Sequence, residues 1–401
     1  MTARSIAQTS PPSASPAPPS GSGQESGSEQ ENGSGQERSG QESRSGQTAP
    51  RAPRTLRLPT LGRGHVPLPL RTLGVCLAIL IACMAMLVLA VSTGDLMIPV
   101  RQVVPALFGA GDGGTVLVVQ QWRLPRGLMA LLLGAALGIG GAIFQSLTRN
   151  PLGSPDVIGF GTGAYTGALI VILLLGGSYL GTAAGALIGG TATALVVYLL
   201  SITKGAGRRG IQGFRLIVVG IGVSAMLSAV NTWLVLHAEI EDAMRVAVWG
   251  AGSLNGVSWE QMRPTIITVV ALCAACVVLA ERMHILEMGD ESASALGVRA
   301  EGTRLALMLT GITAVALVSA VAGPISFVAL AAPQIAKRLT RSHGMAIAPA
   351  ALMGALLLIV SDYVAQRINP TSPLPVGVVT VCVGGIYLVW LLISEGRKHL
   401  R

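Results

Sequence analysis

Ten stretches of this chain are apolar for close to the length a helix needs to cross a bilayer. They fall at about 72–92, 127–148, 156–176, 179–200, 214–236, 264–281, 304–321, 325–338, 347–366 and 374–393. A crossing takes about 20 residues, because a helix rises about 1.5 Å per residue through a hydrocarbon core about 30 Å thick. A helix satisfies its backbone polar groups within its own segment, which lipid demands. The eighth run is short for a full crossing. The expectation is an all-α, polytopic membrane domain of about ten helices over residues 71–401. Only 12% of the chain is charged, about half the share of a soluble domain.

Charge placement orients the runs. No acidic residue lies between Ser43 and Gly94, whereas Arg44, Arg51, Arg54, Arg57, Arg63 and Arg71 do. A basic flank holds the preceding end in the cytoplasm. Cytoplasmic loops are then expected around Lys204, Arg208 and Arg209, and around Lys337, Arg338 and Arg341. The C-terminus carries Arg397, Lys398 and Arg401. The expected outer loop 237–245 instead holds Glu239, Glu241 and Asp242. An even number of spans places both termini inside. A basic surface for nucleic acid is excluded, because the positive residues sit between spans and not on one face.

Residues 1–50 repeat Ser-Gly-Gln at Ser22, Ser34, Ser39 and Ser45 and are rich in Pro and Glu. Such a segment cannot bury a core, so 1–70 reads as a disordered cytoplasmic tail. It has no early apolar stretch and does not resemble a cleaved signal peptide. The five cysteines lie in apolar runs. Cys273 and Cys276 have CxxC spacing without further ligands nearby, so packing is the reading and no metal site is expected.

Chemistry motifs are few. No Walker loop, HExxH or Gly-x-Ser-x-Gly occurs, and Thr203–Gly210 only superficially resembles a phosphate loop. No catalytic residue, cofactor or enzyme activity is expected. Arg123 and Arg126 stand before the second run on the expected outer side. They either snorkel at the interface or dock an acidic partner. Residues 149–164 interrupt the second and third runs. Pro151 and Pro155 remove backbone donors, Asn150 is pushed out of helix, and Gly153, Gly159, Gly161 and Gly163 permit unusual turns. Such a break lies against protein or water, not lipid. The charged connector 281–304 contains Asp290–Leu296, long enough for one or two helical turns with Asp290 and Glu291 at the start. It is either a solvated connector or a rigid handle for a motor. The run beginning at Arg126 and that beginning at Arg304 are both Gly/Ala-rich, each followed by a Pro-Gly interruption. This weak echo, five spans apart, suggests inverted repeats.

Taken in order, these elements resemble the iron-siderophore and vitamin B12 class of ABC-importer permeases, from about Arg71 to Arg401. The marks are Arg123-Leu-Pro-Arg126, Gly134, Gly141, Gln145, Asn150-Pro151-Leu152 with Pro155 and Gly159, and Trp249-Gly250 with Gly252-Ser253. They continue with Gly289-Asp290-Glu291, Ala295-Leu296-Gly297, residues 323–339, Asp362 and residues 374–392. Two positions depart from the usual pattern. Pro333-Gln334-Ile335 stands where Pro-His-Ile is usual, and Arg367 lies one residue later than the usual arginine. Both variants resemble the ferric-enterobactin subgroup, whose permease pairs with a second, different permease.

The resemblance implies a plasma-membrane subunit of an importer for ferric siderophore, with cobalamin or haem as alternative cargoes. It implies cytoplasmic ATPase subunits seated on Gly289, Asp290, Glu291, Ala295, Leu296 and Gly297. It implies a second permease subunit, making a heterodimer, and an extracytoplasmic siderophore-binding protein docked at Arg123, Arg126 and Arg367. The residues Gln145, Asn150, Pro151, Pro155, Gly159, Gly323, Pro324, Pro333 and Gln334 would form helix breaks or the translocation path. An ion-coupled carrier is the rival of another class; it needs a buried ionisable residue in a span, and Asp362 is the candidate.

Overall fold

The computed structural model describes residues 55–399 except 60–64, 95, 157–158, 206–207, 212, 343, 345 and 370–372. The Ser/Gly/Gln-rich segment up to 54 and Arg401 lie outside the described residues. Just before the bundle, β1 (Thr55–Pro59) pairs antiparallel with β2 (His65–Pro69).

The rest is helical apart from one short ribbon. In chain order the helices are α1 (Leu70–Ser92), α2 (Val100–Leu107), α3 (Gly113–Leu117), α4 (Leu124–Thr148), α5 (Phe160–Leu174), α6 (Tyr179–Ser201) and α7 (Gly213–Leu236). They continue as α8 (Ile240–Gly250), α9 (Trp259–Glu287), α10 (Asp290–Ala295), α11 (Ala300–Ala322), α12 (Val328–Thr340), α13 (Ile347–Ile368) and α14 (Val376–His399). A π-helical stretch, Val118–Arg123, joins α3 to α4. A short ribbon of β3 (Ile202–Gly205) and β4 (Arg208–Ile211) separates α6 from α7.

Each of the ten expected runs coincides with a helix. Seven helical segments are long and apolar enough to cross a membrane. The others are shorter: α5 has 15 residues, α12 has 13, and the apolar part of α14 is Val376–Trp390. Sequence reading placed a loop at 237–245, but α8 starts inside it. Its signal was present, since Glu241 and Asp242 occupy a first helical turn, where acids are favoured.

Helix α4 is the buried centre. Gly134, Gly138 and Gly141 put bare backbone on the faces that meet α13 and α12. A Cβ at Gly138 would lie 2.1 Å from the Ala350 carbonyl oxygen, and one at Gly134 would lie 2.4 Å from that of Gly354. At Gly141 the intruded atom is the carbonyl oxygen of Ala329. That oxygen is four residues before Pro333, which has no N–H to offer it. Small residues at such contacts let membrane helices approach closely where the hydrophobic effect gives no drive. On the periphery, Leu77, Ile81 and Met84 of α1 and Val218, Ile221 and Met226 of α7 are exposed, as a lipid-facing surface requires.

The two halves share a device. Helix α4 breaks before α5, and α11 breaks before α12. Positive φ angles mark both breaks: Arg149 (49°) and Gly159 (84°) in the first, Gly323 (73°) and Phe327 (67°) in the second.

Candidate functional site

At the Arg126 end of α4, three arginines from distant parts of the chain converge. Arg123, Arg126 and Arg367 line one pocket of about 510 Å³ with Trp122 and Gln366. They are not equally available. Arg126 grips Asp362 with two nitrogens, Nε to Oδ2 at 3.0 Å and Nη2 to Oδ1 at 2.8 Å. Its remaining Nη1 donates to Asn255 Oδ1 at 2.6 Å. Asp362 also accepts from Gln366 Nε2 at 2.7 Å. The Asp362 side chain is only 4% exposed, so the fork geometry of arginine compensates for its burial. Arg123 donates to the carbonyls of Val91 and Leu96 at 2.9 and 2.7 Å. Arg367 stacks on the Tyr363 ring at 3.6 Å and donates to the Thr93 hydroxyl. The π-helical turn that carries Arg123 is a feature frequent at functional sites.

The break after α4 is built as its residues dictate. Asn150 Oδ1 accepts the Leu152 N–H at 2.9 Å, forming a local turn. The Asn150 N–H returns to the Gln145 carbonyl, closing the helix end around left-handed Arg149. Pro151 is exposed and Pro155 is buried.

Of the residues expected at breaks or the path, Gln145 and Gln334 form a pair inside the bundle. Gln334 Nε2 donates to Gln145 Oε1 at 2.5 Å, and Gln145 Nε2 donates to the Leu330 carbonyl at 2.9 Å. Both are buried, and Pro333 is packed beside them. The two amides join α4 to α12. Replacing Gln334 with Leu strips Gln145 of a partner, and is expected to cost about 1–3 kcal/mol. Gln334→Glu would add a buried charge and cost more. Thermal unfolding of the purified variants checks the order; a stabilised Gln334→Leu would show the pair to be dispensable.

A polar groove of about 560 Å³ lies elsewhere, and sequence reading missed it. Asp156 from the first break, Thr162 from the start of α5, Ser228 and Thr232 from α7, and Pro324 and Ser326 from the second break line it. Asn231 stands on the same wall, and its Oδ1 is buried with no hydrogen-bond partner among the described residues. Tyr165, also on the wall, stacks on Trp249 with centroids 6.3 Å apart. Of the expected path residues, Pro324 lines this groove and Gly323 borders a neighbouring pocket; Gly159 is buried against α6 and α7. The signal available in sequence was the hydroxyls and amide of an otherwise apolar run, Ser228 to Thr232.

At the opposite end of α4, the expected short helix is present as α10. Gly289 (φ 115°) and Gly297 (φ 79°) bound it, and a Cβ at either would meet open space. Glu291, Ala295 and Leu296 are exposed, while Ala293 is fully buried. Asp290 is held from two sides. Arg304 Nη2 donates to its Oδ1 at 2.6 Å, and Arg149 Nη2 at 3.3 Å.

Among the described residues, no group of three or more His, Cys, Asp or Glu side chains could hold a metal ion.

A bundle of spanning-length helices, with two broken helices beside a polar groove, is the build of a multi-pass membrane permease. Residues 80–394 match the FecCD transport family, and the chain belongs to it. It is 49% identical to the ferric enterobactin transport system permease protein FepG of Escherichia coli (strain K12), over 82% of this chain and 98% of that one. It is 34% identical to the achromobactin transport system permease protein CbrC of Dickeya dadantii (strain 3937), over 83% and 95%. Its fold is similar to a solved inward-facing metal-chelate type ABC transporter, with a TM-score of 0.69 and 25% identity over 80% of this chain and 99% of that one.

Proposed function

We propose that this chain is the permease subunit of an ATP-binding-cassette importer that carries a ferric siderophore across the cytoplasmic membrane, with both termini in the cytoplasm. The observation that carries the reading is that an arginine-lined pocket and an exposed short helix lie at opposite ends of α4. The pocket is suited to acidic residues of an extracytoplasmic binding protein. The short helix, α10, is suited to a cytoplasmic ATPase. A second permease, of different sequence, would close the polar groove into a path. The ferric siderophore follows from the identity to a ferric enterobactin permease over nearly that protein's whole length. Asp362, which an ion-coupled carrier would need free to hold its ion, is committed to Arg126; this favours the ATP-driven reading. The exposed tip of α10, Leu296 and Gly297, is where an ATPase would bear, and the open space at Gly297 leaves room for its backbone.

The test is uptake of ferric enterobactin and ferric citrate in a strain lacking this chain. Restored enterobactin uptake that stops when the partner ATPase is removed is the expected result. Uptake that survives ATPase loss and collapses with the proton gradient overturns the reading. Charge reversal at Arg123 and Arg367 is expected to weaken binding-protein association, more so at low salt. Arg126 is unsuited to that test because its loss would strand Asp362.

A further inference from the structure

Around Asp290 three helix ends meet at one carboxylate. Arg304 reaches it from the first turns of α11, and Arg149 reaches it from the residue that ends α4. The same Arg149 Nη2 donates to the Leu286 carbonyl of α9 at 3.0 Å. One turn earlier on α4, the Ser146 hydroxyl donates to Glu287 Oε1 at 2.9 Å. The end of α4 is therefore fastened to the turn from which α10 departs. Arg149 does this from a left-handed backbone conformation (φ 49°), which a residue with a Cβ adopts at a cost. That conformation closes α4 and keeps the guanidinium beside the carboxylate.

The other face of α4 is rigidly seated. Its glycines meet the backbone of α13 and α12 with no side chain between. At its far end, about 35 Å from Arg149 at 1.5 Å per residue, Arg126 holds Asp362 of α13. A displacement entering α4 at Arg149 cannot be absorbed by side-chain rearrangement along these contacts. It moves α13 with it.

We propose that Asp290 is a positioning residue of the transport cycle: by holding Arg149 and Arg304 together, it delivers the movement of α10 to α4 and α11 at once. This rests on the reading of α10 as the ATPase contact. Neither arginine alone is sufficient in this scheme. Arg304 secures the helix that follows α10, and Arg149 recruits the central helix of the bundle. Asp290 is half exposed, so the carboxylate contributes little to stability and can be changed without opening the core.

The experiment uses the complete importer in proteoliposomes, with binding protein loaded with ferric enterobactin. It measures transport per ATP hydrolysed, beside the melting temperature of the complex. Asp290→Asn and Arg149→Gln are each expected to lower transport per ATP by roughly fivefold or more, with the melting temperature unchanged. The double variant is expected to lose no more than either single one, because both remove the same contact. Asp290→Glu is expected to restore part of the coupling. A cross-link from Leu296→Cys to the ATPase, formed in every variant, separates the two ideas. Coupling unchanged in Asp290→Asn with the cross-link intact overturns the role of Asp290, and so do additive losses. Absence of the cross-link in the otherwise unaltered importer overturns the ATPase reading of α10, and this proposal with it.

Discussion

Asp362→Ala is expected to destabilise the protein by about 3–5 kcal/mol, the cost of breaking an ion pair whose acid is buried and whose arginine is largely so. The Arg126 and Asp362 side chains are 18% and 4% exposed, and the carboxylate receives both Arg126 and Gln366. Removing the acid leaves a guanidinium, largely withdrawn from solvent, with only Asn255 as a neutral partner. Changing both residues together, Arg126→Met with Asp362→Leu, is expected to cost much less, because no charge is stranded. Unfolding of the purified variants in one detergent gives the comparison. Equal stability of the single and double variants would mean that water reaches the pair and that the charges are not isolated. The result also bears on docking. If the pair is structural, binding-protein recognition falls to Arg123 and Arg367, which line the same pocket.

The second large effect is expected at Gly138. A Cβ there would lie 2.1 Å from the Ala350 carbonyl oxygen and 2.8 Å from its carbon, and backbone cannot rotate aside as a side chain can. Gly138→Ala is expected to cost about 1–3 kcal/mol by forcing α4 and α13 apart, and Gly138→Leu to abolish folded protein in the membrane. Gly222 in α7 is the control, since a Cβ there meets nothing within 4 Å. Gly222→Ala is expected to be neutral or slightly stabilising, as it removes chain freedom from the unfolded state. Folded yield by size exclusion reads both. A Gly138→Leu protein that folds as well as Gly222→Ala would mean that the helix contact is loose.

The legible part of this molecule was the part that local rules govern. Hydropathy and length located the helices, and Pro151 and Pro155 located the first break. Asp290 with Glu291, set between two glycines, located α10 to within a residue at each end. Each of these signals acts through neighbours a few residues away. Helix α8 was lost because its acidic start resembles an outer loop, although the same acids suit a helix N-terminus. The polar groove was lost because Ser228, Asn231 and Thr232 are scattered in an apolar run, and hydroxyls in membrane helices often bond their own backbone, as Thr232 does to Ser228.

Sequence alone determined that this chain lies in a membrane as about ten helices, broken twice, with a short helix held out between the sixth and seventh apolar runs. Those features follow from hydrophobic length, missing proline donors and glycine backbone freedom, all of which are properties of short segments. Only the tertiary structure decided the partners. Arg126 meets Asp362 across 236 positions, Gln334 meets Gln145 across 189, and Arg149 meets Asp290 across 141. No periodicity specifies such pairs. They arise where helices seated on glycine backbone bring polar groups from distant parts of the chain together.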